Sequence, residues 1–151
     1  MKIMDCLDVN AINLDIKSKE KNKVLKELFS GLSKNEAVLD EKKCFEDILE
    51  REKMGSTGIG KGVAIPHAKT EAVNKIIMTI GIAKQEIEYK SADEENVKIL
   101  FMFLTPVNMS QEYLILLAKI SRYVREEKFR EALLKCETNE DVLEVINSKE
   151  N

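Results

Sequence analysis

Lys75-Ile76-Ile77-Met78-Thr79-Ile80-Gly81-Ile82-Ala83 and Val97-Lys98-Ile99-Leu100-Phe101-Met102-Phe103-Leu104 decide the fold class. Both stretches are rich in β-branched and aromatic residues, and apolar side chains fall at consecutive positions rather than alternate ones. A strand of that composition needs cover on both faces, which predicts an α/β layered fold. Working outward, Ile87–Tyr89 reads as a short extra strand, and Val63-Ala64-Ile65 as a short apolar piece ending at Pro66. The leading residues 1–16 read as mostly extended, with Ala11–Ile16 as an edge strand.

Helices are expected before and after this strand region. Ser18 caps a first helix running to about Phe29, with Val24, Leu25, Leu28 and Leu32 at helical spacing and Gly31 at the stop. Asp40 caps a second, reaching about Lys53, with Phe45, Ile48 and Leu49 on one face. After Pro106, Ser110 opens a helix to about Val124, and Glu126–Cys136 forms another. Thr138 with Asp141 three residues on resembles a capping box for a last helix to Ile146.

The 151 residues are one domain's length. The formal net charge of -3, with no basic block, gives no electrostatic reason to expect nucleic acid. No leader pattern is visible at the start, and the longest apolar runs fall far short of the roughly 20 residues of a membrane helix. The expected compartment is the cytoplasm. The 3 cysteines are widely spaced and there is 1 histidine, so no Cys/His metal site is expected.

The glycine-dense stretch Gly55-Ser56-Thr57-Gly58-Ile59-Gly60-Lys61-Gly62 reads as a loop. It nearly spells the nucleotide phosphate loop GxxxxGK[ST]. Gly62 lacks the magnesium-binding hydroxyl that ends that motif, and a helix precedes the loop where a strand is required. The chemistry lies just beyond. Pro66 has no N–H for a ladder, so it ends the pairing of Val63–Ile65 and presents His67 at a strand end. The glycine backbone nearby can approach an anion closely.

From Glu52 to Ala68 the chain resembles the phosphorylation-site signature of the fructose/mannitol-type IIA components of the bacterial sugar phosphotransferase system. That signature has an acidic or amide residue, six free positions, an apolar and a small residue, two free positions, then apolar-Ala-apolar-Pro-His-small. Glu52, Ile59, Gly60, Val63, Ala64, Ile65, Pro66, His67 and Ala68 fill it without a mismatch. Arg51, sixteen positions before His67, and Ser56-Thr57-Gly58-Ile59 also accompany it in the family. The likeness runs from about Ile12 to Ile146. It implies one IIA domain over residues 1–151, with a mixed central β-sheet flanked by helices. One departure stands out: many members carry a second histidine where Tyr113 falls here, an imidazole that helps hold the phosphoryl group.

The resemblance implies a phosphotransferase component with a phosphohistidine intermediate. His67 Nε2 is then the nucleophile, and a backbone carbonyl holds Nδ1–H. Arg51 is the candidate for phosphate charge, because its planar fork suits phosphate oxygens. Thr57, Gly58 and Tyr113 are candidates for binding or positioning the phosphoryl group. The implied donor is the phosphohistidine of the carrier HPr, and the implied acceptor is a IIB component. Membrane association is indirect, through a IIC component on a separate chain, and no metal or other cofactor is needed. An alternative stays open, in which His67 phosphorylation switches binding in a regulatory, nitrogen-type protein of the same family.

Overall fold

The computed structural model describes residues 1–91 and 93–151. Five strands form one mixed sheet: β1 (Gly58–Gly60), β2 (Val63–Ala64), β3 (His67–Thr70), β4 (Ile77–Ile87) and β5 (Val97–Pro106). β5 is the centre. One of its edges carries β4, antiparallel, with Ile77 opposite Leu104 and Ile82 opposite Ile99. The other carries β2 and β3 end to end, both parallel, with Val63 opposite Ile99 and His67 opposite Phe103. β1 folds back on β2 through Lys61-Gly62, both at positive φ (58° and 80°), as a two-residue hairpin requires. The predicted loop over 54–62 thus contains a short strand.

The alternation of side chains explains the continuous apolar runs. Leu100, Met102 and Leu104 join one core with Ile77, while Ile99, Phe101 and Phe103 join a second with Met78 and Ile80. The first core is closed by α1 (Lys21–Leu32) and α2 (Glu41–Lys53), through Val24, Leu25, Leu28, Cys44 and Ile48. The second is closed by α3 (Ser110–Val124), α4 (Glu127–Leu134) and α5 (Asn139–Glu150), through Leu116, Ile120, Leu133, Val142 and Ile146. This is the layered α/β architecture expected from the strand composition.

Local signals at the helix ends divide. Asp40 accepts from the Lys43 N–H at 3.1 Å, and Thr138 and Asp141 form the capping box that opens α5. Ser18 caps nothing: α1 starts three residues later, and the Ser18 hydroxyl donates to Glu27. Gly31 lies inside α1 rather than after it. Its bare Cα lets the Ala11 carbonyl approach, since a Cβ there would stand 3.0 Å from that oxygen. Ser110 is the first residue of α3, and Met109 stands at the cap.

Two further expectations are corrected. Ala11–Ile16 is no regular strand. Two 3-10 turns, Ile3–Asp5 and Val9–Ala11, break the leading segment, and isolated bridges Leu7–Met78 and Asn13–Gly81 lay it along the outer edge of β4. The turns keep that edge covered without a flat strand. Ile87–Tyr89 is not separate either, because β4 runs on through Ile87 past a register shift.

Leu28 is fully buried between α1 and β4. Leu28→Ala is expected to cost about 2–5 kcal/mol, read as a lower urea midpoint with an unchanged slope.

Candidate functional site

Pro66 does less than its chemistry suggests. It donates nothing, but its carbonyl accepts from the Phe103 N–H at 3.1 Å, so pairing to β5 resumes at once. His67 is therefore the first residue of β3, at a strand end as its sequence context predicts. In register with Phe103, it stacks on that ring at 5.3 Å and 14°. From α3, Tyr113 packs edge-on against the same ring at 5.3 Å and also meets Phe103 at 5.8 Å, so the three rings form one cluster. The ring is only 3% exposed.

His67 Nδ1 lies 2.5 Å from the Ile65 carbonyl oxygen. A carbonyl only accepts, so Nδ1 carries the proton and Nε2 the lone pair. Nε2 is buried with no partner; the other such side-chain atoms among the described residues are the hydroxyls of Thr79, Ser91 and Thr105. An orphaned buried acceptor costs about 1–3 kcal/mol. Burial lowers the His67 pKa below its ordinary value, and the Arg51 charge adds to this; the Ile65 bond and the Glu52 charge oppose it. The product is a neutral imidazole with one orphaned lone pair.

Arg51, in the last turn of α2, donates from Nη1 to the Gly55 carbonyl at 2.9 Å. Its charge reaches both His67 and Tyr113. With Met54, Lys69, Val107 and Tyr113 it lines a surface cleft of about 670 Å³. His67 does not line that cleft, although its neighbour Ala68 does. Lys69 sets its ammonium 5.0 Å from the centre of the Tyr113 ring. The structure thus gathers His67, Arg51 and Tyr113 at one place.

Thr57 and Gly58 stand behind them. The Thr57 N–H and hydroxyl both donate to the Glu52 carboxylate, at 2.8 and 2.5 Å, so neither is free for an incoming anion. The Gly58 N–H donates to the Ser56 hydroxyl. Gly58 is required by packing, because a Cβ there would stand 2.2 Å from Ser91 Oγ. Glu52, 6% exposed, also accepts from the Tyr89 hydroxyl at 3.0 Å and pairs with Lys21 at 2.6 Å. Sequence reasoning missed Lys21, Tyr89 and Phe103 as supports of the site. They carry no local signal and arrive from other elements. Among the described residues, no three His, Cys, Asp or Glu side chains converge to hold a metal. No helix among them is long and apolar enough to cross a membrane.

The mixed sheet thus carries one neutral imidazole at the start of β3, within reach of the Arg51 charge. Residues 5–149 match the family "Phosphoenolpyruvate-dependent sugar phosphotransferase system, EIIA 2", and the chain belongs to that family. It is 35% identical over 147 residues to the fructose-specific EIIABC component of Bacillus subtilis, spanning 97% of this chain but 23% of that protein. It is 33% identical over 149 residues to the fructose-specific EIIA component of Haloferax volcanii, covering 95% of this chain and 97% of that protein. Proteins named nitrogen regulatory proteins recur among the other relatives, at 28% to 32% identity. The crystal structure of nitrogen regulatory protein IIA-Ntr from Neisseria meningitidis superposes with a TM-score of 0.89 at 29% identity, covering 95% of this chain and 98% of that one. The family is therefore established at a coarser level than the fructose/mannitol branch.

Two outcomes are expected. The unfolded chain protonates His67 near pH 6.5, the folded one only at lower pH. Between those values the unfolded state binds more protons, so stability falls as the pH drops, and above about 6.5 this contribution is constant. The fall in melting temperature between about pH 7.5 and about pH 5.5 should therefore be smaller in His67→Gln. Because His67 is the 1 histidine, the absorbance of the carbethoxylated imidazole formed by diethyl pyrocarbonate reports its accessibility, whatever lysines or tyrosines also react. Carbethoxylation, followed by absorbance, should be several-fold faster in Tyr113→Ala than in the unaltered protein.

Proposed function

We propose that His67 is the phosphoryl acceptor of this domain. The observation that carries the reading is the hydrogen bond from Nδ1 to the Ile65 carbonyl, which leaves Nε2 neutral, unprotonated and unpartnered beside Arg51. A lone pair at Nε2 attacks the phosphorus of a donor phosphohistidine. The donor's P–N bond breaks as the new one forms, and the proton stays on Nδ1, hydrogen-bonded to the Ile65 carbonyl. No proton has to leave Nε2. The loose transition state places charge on three phosphoryl oxygens, where positioning and a guanidinium do most of the work. Arg51 supplies that charge from the rim of the cleft.

Tyr113 takes a different part from a second histidine. It cannot carry positive charge, and its ring packs edge-on against the imidazole whose Nε2 is buried. Phe103, fully buried, is fixed in the core, whereas Tyr113 is half-buried at the surface. Tyr113 is the side chain that must turn aside when the donor docks. Exposed Met54 and Val107 offer an apolar landing for that donor next to Arg51 and Lys69. The donor is HPr-like.

The regulatory reading, in which phosphorylation of His67 switches binding to another protein, has the better support. The IIA-Ntr structure superposes over nearly the whole of both chains, and nitrogen regulatory proteins recur among the relatives. A sugar-uptake role, with onward transfer to the cysteine of a IIB component and indirect membrane association through IIC, is the second reading. The identity to the two fructose-specific proteins favours it.

Incubation with enzyme I, HPr and labelled phosphoenolpyruvate should give one acid-labile phosphate, absent in His67→Ala. Arg51→Ala is expected to slow labelling by about 10²–10³-fold, as for loss of one charge-stabilising donor. Absence of label in the unaltered protein would overturn the assignment. Passage of the label to a IIB protein would favour uptake; a labelled protein that transfers nowhere yet changes its binding partner would favour regulation.

A further inference from the structure

The Glu52 carboxylate sits at the origin of a chain of contacts that ends on the reacting ring. Its Oε2 accepts from the Thr57 N–H at 2.8 Å. The Thr57 carbonyl accepts from the Ile65 N–H at 2.9 Å. The Ile65 carbonyl then holds His67 Nδ1 at 2.5 Å. Three successive hydrogen bonds thus join residue 52 to the imidazole, and each sets the position of the next group. We propose that Glu52 is a positioning residue for phosphoryl transfer at His67, acting through Thr57 and Ile65 to hold the ring in its Nδ1–H tautomer. This rests on the reading of His67 as the phosphoryl acceptor.

Chemistry explains why a carboxylate stands at this place. Thr57 presents two donors, its N–H and its hydroxyl, and a carboxylate offers two acceptor oxygens for them. The Tyr89 hydroxyl adds a third donor. Burial and the neighbouring negative charge of Glu52 raise the Tyr89 pKa, so that hydroxyl keeps the proton it donates. Lys21 supplies a countercharge to this buried carboxylate at 2.6 Å. An amide matches this set only in part, having one acceptor oxygen. Alanine matches none of it.

The backbone of the same turn also reaches the guanidinium. The Gly55 N–H donates to the Glu52 carbonyl at 3.3 Å, and the Gly55 carbonyl receives Arg51 Nη1 at 2.9 Å. Both the imidazole and the guanidinium are therefore referred to one turn, residues 52–57, which the Glu52 carboxylate ties down at Thr57. The rival account is a plain tether, in which Glu52 joins α1, α2 and the end of β4 and matters only to stability. A tether predicts a lower melting temperature and nothing at the imidazole.

The test uses Glu52→Ala and Glu52→Gln in the full chain, with ring-nitrogen NMR of His67, labelling by phospho-HPr and thermal melting. The unaltered protein should show the pattern of a neutral Nδ1-protonated imidazole. Glu52→Ala is expected to shift that pattern toward a mixture of tautomers and to slow labelling at least about tenfold, with the apparent KM for the donor little changed. Glu52→Gln should fall between the two in both readouts. If Glu52→Ala does not fold, Glu52→Gln decides alone. A folded variant that keeps the unaltered tautomer pattern and labelling rate, whatever its melting temperature, would overturn the positioning role. The NMR readout needs no phosphoryl transfer. Failure of the unaltered protein to take label would overturn the acceptor reading, and a normal tautomer in the variants would separately overturn the role of Glu52.

Discussion

Everything in this molecule is arranged around a strand that has no solvent face. From Val97 to Pro106, β5 buries nearly every side chain, Leu100, Met102 and Leu104 to one side and Ile99, Phe101 and Phe103 to the other. Such a strand forms only where two apolar layers meet it, since each exposed apolar side chain forgoes about 1.5–3 kcal/mol of burial. The helices before the sheet close one face and those after it close the other. The short strands β2 and β3 then have a rigid edge to dock on, and the register with that edge puts His67 opposite Phe103. The reactive ring is thus located by the most firmly held element of the fold.

That placement makes the site costly to the fold and useful to the chemistry for the same reason. Burial disfavours the imidazolium, and the Ile65 carbonyl consumes the Nδ1 proton, so the remaining nitrogen is an acceptor with nothing to accept. Stability alone would favour a residue with no orphaned atom there. In the function proposed here, a phosphoryl group supplies the missing partner. The orphaned lone pair lies within reach of the Arg51 charge, and the Tyr113 ring packs against the same imidazole.

Tyr113 also separates this protein from members with two histidines. An imidazole at that position offers a proton or a charge to the phosphoryl group. A phenol packed against Phe103 and His67 offers bulk, and its hydroxyl lies near Arg51, with burial raising its pKa against the Arg51 charge. A site built this way is closed at rest. Closure of that kind suits a protein whose phosphorylation is read by a partner at least as well as one that passes phosphate on.

The amino-acid sequence by itself determined the layered class, because unbroken apolar runs in short segments have one physical solution. It also determined the cap at Asp40, the capping box at Thr138 and the motif that singles out His67, since all of these are local. Pro66 does interrupt the pairing, because a lost N–H is local, whereas the resumption of pairing at His67 depends on β5. Ser18 and Gly31 were misread for a like reason: Glu27 and the Ala11 backbone, both brought in by folding, claim them. Only the tertiary structure decided that His67 is buried, that Tyr113 lies against it, and that Glu52 takes Thr57, Tyr89 and Lys21 as partners. Those contacts join residues up to 46 positions apart along the chain, and nothing in a one-dimensional pattern says which side chains will meet once two apolar layers have closed on the sheet.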